Sequence, residues 1–183
     1  TFPRKTAVYF EEGEAVRFNT PSGRIELYSN TLADIGQDPF PRYRPPERPP
    51  QGFYHLNYGR APAHTFGRTI NNPQLFELMP ENVVWVHPAA AAKLGVANGD
   101  YVQLENPDGA RSQRIRVRVT QRIRPDSVFM VHGFGHTDER QRLARGVGAD
   151  DAALMHNVKL DPIMGGTGMR ASFVTLVKPS EVS

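Results

Sequence analysis

The chain has 183 residues, including 16 glycines, 16 prolines and no cysteine, and a formal net charge of +3. That length suits one domain with a full core plus some extra chain, and argues against two equal domains. The glycine and proline content excludes a helical bundle in favour of turns between short strands, while the lack of cysteine excludes a disulfide framework, thiolate-bound metals or clusters, and a cysteine nucleophile.

A sequence pI near 9.4 permits an anionic partner without requiring one. No apolar run approaches the length of a bilayer span, so direct membrane insertion is not expected. The chain opens at Thr1 without the basic, apolar and small-residue order of a signal peptide, and it reads as a fragment of a larger protein.

In chain order, Phe18 to Ser29 reads as a β-hairpin: Pro21-Ser22-Gly23 supplies the turn, and Ile25 and Leu27 supply period-two apolar positions. Six of residues 39–50 are proline, interspersed with Arg42, Arg44, Glu47 and Arg48, which predicts an extended connector and excludes helix. The expected boundary follows: an N-terminal hairpin and connector over 1–50, and the main domain over 51–183.

Phe53 to Tyr58 is an aromatic, alternating first strand, and residues 59–73 form a long polar loop of a kind more often functional than not. Asn72 and Pro73 are a cap and first-turn residue for a short helix reaching Met79. Val83 to Val86 is β-branched and apolar, suiting a buried strand with Trp85 in the core. His87 stands at its end, and Pro88 opens an alanine-rich helix of about two turns with Lys93 in the last turn and Gly95 as a left-handed cap. Asn98-Gly99-Asp100 turns the chain into the strand 101–106.

Asn106-Pro107-Asp108-Gly109 is a second turn. It leads to a strand over 113–119 with Ile115, Val117 and Val119 on one face and Arg114, Arg116 and Arg118 on the other. Six arginines and no acid lie between Arg111 and Arg124. A solvated strand face or subunit contact explains them more simply than nucleic acid, because no aromatic platform is interleaved with them in sequence. Strands over 127–131 and 171–178 complete six. Between them lie a glycine-rich stretch from His132 to His136, a charged excursion over 140–148, one helical turn within 149–157, and repeated chain breaks at 161–168.

His132 and His136 have the spacing of helical ligands, but Gly133 and Gly135 argue against helix and no third ligand is spaced for them. Gly165-Gly166-Thr167-Gly168 lacks the ending of a phosphate-binding P-loop, and Ser22, Ser112 and Ser172 have no elbow context. No catalytic constellation is visible. Instead, three polar, glycine-containing loops at 59–72, 132–137 and 155–168 can converge on one large polar ligand. Exposed N–H groups, with Arg60, His64, Thr65, Thr69, Asn71, His132 and Gly133, suit a pyrophosphate and the edges of a nucleotide or pterin.

Several passages carry a resemblance: Thr20-Pro21-Ser22-Gly23 followed by Arg24 and Ile25-Glu26-Leu27-Tyr28-Ser29, the His87-Pro88 helix with Leu94-Gly95-Val96 and Gly99-Asp100, and the segments 64–67, 69–73, 132–135 and 156–157. Together they resemble the C-terminal dinucleotide-binding domain of molybdopterin oxidoreductases, in the polysulfide and thiosulfate reductase branch of the dimethyl sulfoxide reductase family. The resemblance implies a mainly β fold with short helices, a six-stranded double-psi β-barrel of the aspartate decarboxylase-like kind. It implies part of a pocket for bis(molybdopterin guanine dinucleotide), bis-MGD, with His64, Thr65 and Thr69 in a loop over one dinucleotide and Asn157 hydrogen-bonded to a pterin ring. Gly168-Met169-Arg170-Ala171-Ser172 departs from the family's Pro-x-Tyr-Lys type passage, so the contacts of the last loop stay open, with Arg170 a candidate.

By the same resemblance, the molybdenum ligand and an iron–sulfur cluster belong to preceding domains of the same catalytic subunit. An iron–sulfur electron-transfer subunit is then a partner, and the location is periplasmic. Thiosulfate or polysulfide is the expected substrate of the whole enzyme, with arsenate the alternative within the family. A stand-alone barrel module binding protein or nucleic acid through Arg111 to Arg124 is the alternative outside it.

Overall fold

In a computed structural model, residues 13, 18–40, 42–156, 158–168 and 172–179 are described. The chain divides into two compact units at Pro45 and Pro46, inside the proline-rich stretch.

In the first unit, Gly23 N–H donates to Thr20 O (2.9 Å) and Phe18 N–H to Gly23 O (3.0 Å), so the turn forms. The expected hairpin does not: no strand lies among the described residues of 18–29, and Ile25 and Leu27 are 68% and 75% exposed. An isolated two-stranded hairpin is marginal without a surface to cover its apolar side, and this unit offers none to these side chains. A helix not foreseen, α1 (Asn30–Asp34), follows, capped by Ser29 Oγ accepting from Leu32 N–H.

The second unit is a closed barrel of β1 (Tyr54–Gly59), β2 (Val83–Val86), β3 (Tyr101–Glu105), β4 (Ile115–Val119), β5 (Ser127–Val131) and β6 (Phe173–Val177). Its order round the wall is β1-β5-β2-β4-β3-β6, a six-stranded double-psi β-barrel. Two pairings are parallel, β1 with β5 and β2 with β4, and the other four are antiparallel. Each strand alternates: Val84 and Val86, Val102 and Leu104, Ile115 and Val117, Val128 and Met130 point inward and are at most 2% exposed. Closing the wall leaves no free edge to template pairing with another chain.

Short helices plug the connections. In α2 (Pro73–Leu78), Asn72 Oδ1 accepts from Leu75 N–H. In α3 (Pro88–Leu94), His87 Nδ1 accepts from Ala89 N–H, and Gly95 closes the helix at φ 64°. Trp85 departs from expectation. It sits on the outward face of β2, against Phe129 of β5 (ring centroids 5.1 Å apart) and under the Arg118 guanidinium (5.4 Å). The reason is parity: Val84 and Val86 take the inward positions, and in a barrel wall their neighbour must face out.

Inward rows continue into buried polar residues at strand ends, Asn82 among them. Asn82, fully buried, extends the inward row of Val84 and Val86 back by one step. Its Nδ2 donates to Val131 O (2.7 Å) and Ala149 O (2.9 Å), and its Oδ1 accepts from Ala149 N–H (2.9 Å). It thereby ties the end of β5 to the segment that precedes the last loop.

Candidate cofactor site

Because β1 and β5 are parallel and in register from His55↔Ser127 to Gly59↔Val131, both strands end at the same rim of the barrel. The loops that follow them must leave side by side. His132 N–H donates to Gly59 O (3.0 Å), fixing where the second loop begins. A smaller apolar cluster of Ala61, Ile70, Val131, Phe134 and Ala144, with Phe76, Met79 and Phe129 against it, joins side chains of both loops.

At this rim opens a cavity of about 940 Å³ lined by Tyr58, Gly59, Arg60, Phe66, His132, Thr167 and Gly168. All three loops expected to converge contribute to it. The Arg60 guanidinium lies over the Phe66 ring (4.4 Å). Phe66 meets His132 edge-on (4.8 Å), and Tyr58 stacks with His132 (6.2 Å). Phe66 adopts φ 53°, a left-handed conformation costly for an aromatic residue and common at functional loops.

His132 Nε2 is buried with no hydrogen-bond partner among the described residues. Behind it stands Asp151, 5% exposed, whose Oδ1 accepts from Gly133 N–H (3.3 Å). Burial pushes the Asp151 carboxyl up from its ordinary range; the Gly133 bond and the nearby His132 oppose that shift.

The other sequence-predicted residues frame the cavity from outside its lining. His64, 6% exposed, donates from Nε2 to Met79 O (2.8 Å), and its Nδ1 faces the Thr69 hydroxyl (3.4 Å). Thr69 Oγ1 also accepts from Thr65 N–H (2.8 Å), so these three residues close one turn upon itself. Asn71 Oδ1 accepts from the amides of Leu143 (2.9 Å) and Ala144 (3.3 Å), docking the 140–148 excursion onto the first loop. Gly133, at φ 88°, lets the second loop pass against Gly67. Asn157 and Arg170 lie outside the described residues. Sequence reasoning did not name Tyr58, Phe66, Thr167 or Asp151 as site residues; Phe66 and Thr167 lie in loops expected to converge, whereas Tyr58, at the end of β1, and Asp151 carried no such signal.

The arrangement offers a cation, glycine backbone at the rim, aromatic faces and a buried imidazole around a volume within the roughly 300–1,000 Å³ of small-molecule sites. These are donors and surfaces for a polyanionic, ring-bearing molecule.

The family model described as the molydopterin dinucleotide binding domain matches residues 54–172. The chain belongs to this family. The molybdopterin-containing subunit of thiosulfate reductase from Salmonella typhimurium is 36% identical over 173 residues, covering 90% of this chain and 21% of that protein. Dimethyl sulfoxide reductase from Escherichia coli is 29% identical, covering 74% of this chain and 18% of its own length. The solved structure of acetylene hydratase from Pelobacter acetylenicus superposes with a TM-score of 0.71 at 22% identity, covering 91% of this chain and 25% of that one, which supports the fold. The chain thus spans about a fifth of the length of the curated relatives it matches. The chemistry of the lining suits a molybdopterin dinucleotide: Arg60 is a cation of the kind that pairs with a pyrophosphate, and Gly59 and Gly168 put no side chain into the cavity.

Proposed function

We propose that this chain is the dinucleotide-holding part of a molybdenum oxidoreductase catalytic subunit, that its ligand is bis-MGD, and that the whole enzyme reduces thiosulfate, polysulfide or a related sulfur oxyanion. The observation that carries the reading is the convergence of Arg60, Phe66, His132, Thr167 and Gly168 on one cavity at the rim where β1 and β5 both end. The sulfur oxyanion is supported by 36% identity to a thiosulfate reductase subunit across most of this chain. When bound, the pterin dinucleotide would carry the molybdenum, which would supply the two electrons that cleave a sulfur–sulfur bond of thiosulfate or polysulfide.

The chain's own residues bind and orient. Arg60 neutralises phosphate charge, and its stacking on Phe66 holds the guanidinium in place. His132 offers a buried nitrogen whose pairing offsets its desolvation. His64, Thr65, Thr69 and Asn71 fix the first loop so that Arg60 and Phe66 stay at the rim. Asn157 is assigned as a further ligand contact on the family resemblance, and Arg170, in a passage that departs from the family's, is a candidate.

The molybdenum ligand and an iron–sulfur cluster are assigned to preceding domains, electrons to an iron–sulfur partner subunit, and the enzyme to the periplasm. The test is the purified full-length enzyme: molybdenum and guanine nucleotide per subunit, and turnover of thiosulfate, polysulfide, dimethyl sulfoxide and arsenate with a reduced viologen donor. Stoichiometric guanine nucleotide and a preference for the sulfur oxyanions are expected. Cytosine nucleotide, no pterin, or a preference for arsenate overturns the corresponding part.

A further inference from the structure

The outward face of β4 lies on the wall opposite β1, three places round the barrel in either direction. Cross-strand registers build one row on it, Phe129↔Trp85↔Arg118, and set Tyr101 beside Arg116 in the next. The arginines and aromatics that sequence separates are therefore interleaved in space. Arg118 lies over Trp85 (5.4 Å) and Arg114 over Tyr101 (5.1 Å), while Arg116 pairs with Glu81 between them. Arg114 and Arg118 are exposed and have no carboxylate partner among the described residues.

We infer that this face is a docking surface for another polypeptide, one that presents at least two carboxylates flanking an apolar centre. Stacking each guanidinium on a ring holds it flat and lowers the entropy lost when its free N–H edge forms a bidentate bond to a carboxylate. Tryptophan, tyrosine and arginine held in this way are the residues that dominate binding energy at protein interfaces. A nucleic acid fits less well. Glu81 sits among the three arginines, and Glu105 and Asp126 pair with Arg111 and Arg124 at the two ends of the arginine run, breaking the positive stripe a phosphate backbone follows. The assignment to a separate chain rests on the proposed function: there, the rest of the catalytic subunit covers the cofactor rim, leaving the far wall for a second protein.

The test uses the enzyme complex purified from its own cells. Arg118→Lys keeps the charge and gives a carbodiimide an amine to couple to a touching carboxylate. The expected cross-link joins Lys at this position to Asp or Glu of a different polypeptide in the complex. Arg114→Glu with Arg118→Glu is expected to weaken retention of that polypeptide by about tenfold or more, with molybdenum content and thermal midpoint unchanged. The inference is overturned if the cross-link stays within the catalytic subunit, if the doubly reversed complex keeps all its subunits at wild-type stoichiometry and dilution stability, or if the reversal abolishes only binding of a labelled oligonucleotide. Loss of molybdenum in the unaltered complex contradicts the cofactor reading and leaves the cross-link result standing separately.

Discussion

A Cβ placed on Gly133 would stand 2.5 Å from the amide nitrogen of Gly67, closer than such atoms approach in real proteins. The two loops at the rim of the cavity therefore touch backbone to backbone, and a Cβ on Gly67 would in turn meet the His136 ring at 3.0 Å and Gly133 O at 3.1 Å. Contact this close fixes the spacing between Phe66 on one loop and His132 on the other, and so the shape of the cavity between them.

Gly133→Ala is accordingly expected to destabilise the chain by about 2 kcal/mol or more, combining a left-handed φ of 88° with a clash that only backbone movement relieves. Gly165→Ala is the control: its φ is 66°, but nothing lies within 4 Å, so only the conformational cost of about 1 kcal/mol applies. Urea denaturation of the two variants beside the wild type measures the difference.

Asn82→Ala leaves the Val131 carbonyl and both backbone groups of Ala149 without their buried partner. At about 1–3 kcal/mol per unsatisfied group, the loss is expected to exceed 3 kcal/mol. Asn72→Ala, which removes only the exposed cap of α2, is expected to cost about 1 kcal/mol. Thermal midpoints in that order check the ranking; equal effects would show that Asn82 is not what joins β5 to the 149–151 segment.

Stability should carry a signature of Asp151. Its folded pKa is raised, chiefly by burial, so between the ordinary carboxylate value and the raised one the folded state binds more protons than the unfolded state. Stability from this group is therefore present at acid pH and falls as pH rises through the raised pKa. Asp126 has the opposite sign, since its bonds to Arg124 hold its pKa down and its contribution is lost as pH falls. Unfolding free energy of Asp151→Asn against wild type should diverge in the variant's favour above the carboxylate range and converge below it. A constant offset would mean that the side chain acts through shape alone.

Much of this was legible in the chain. Short apolar runs, aromatic or β-branched and bounded by turns, located all six strands, and Pro88 with Gly95 located α3, because those signals are local and the packing agrees with them. The hairpin at 18–29 misled because its turn is local, whereas strand pairing needs a surface to bury Ile25 and Leu27. Trp85 misled because an unbroken apolar run suggests a strand buried on both faces, whereas in the barrel wall the parity of Val84 and Val86 places it outward. That same parity, carried back one step, marks Asn82 as inward. The meeting of Phe66 with His132 had no sequence signal at all, since it arises from the parallel pairing of β1 and β5 across some seventy residues.

Hydrogen exchange should separate the loops. Residues 64–72 carry fully buried Ile70 and internally bonded His64, so they are expected to exchange slowly even without cofactor, while residues 158–168, all exposed, exchange fast. Uniformly fast exchange across both would show that the small apolar cluster does not hold the first loop.

The central claim is that the rim at the ends of β1 and β5 holds the dinucleotide, and Arg60 tests it most directly. The measurement is molybdopterin and guanine nucleotide per purified full-length subunit for Arg60→Ala and for Arg140→Ala, whose side chain is exposed and pairs with Asp138. Losing a charge-assisted hydrogen bond of about 1.5–3 kcal/mol corresponds to roughly ten- to a hundredfold in affinity. The account predicts that Arg60→Ala loses cofactor on dialysis at an unchanged thermal midpoint while Arg140→Ala keeps it. Full retention by Arg60→Ala, under conditions where the wild type also retains its cofactor, would contradict the placement of the site.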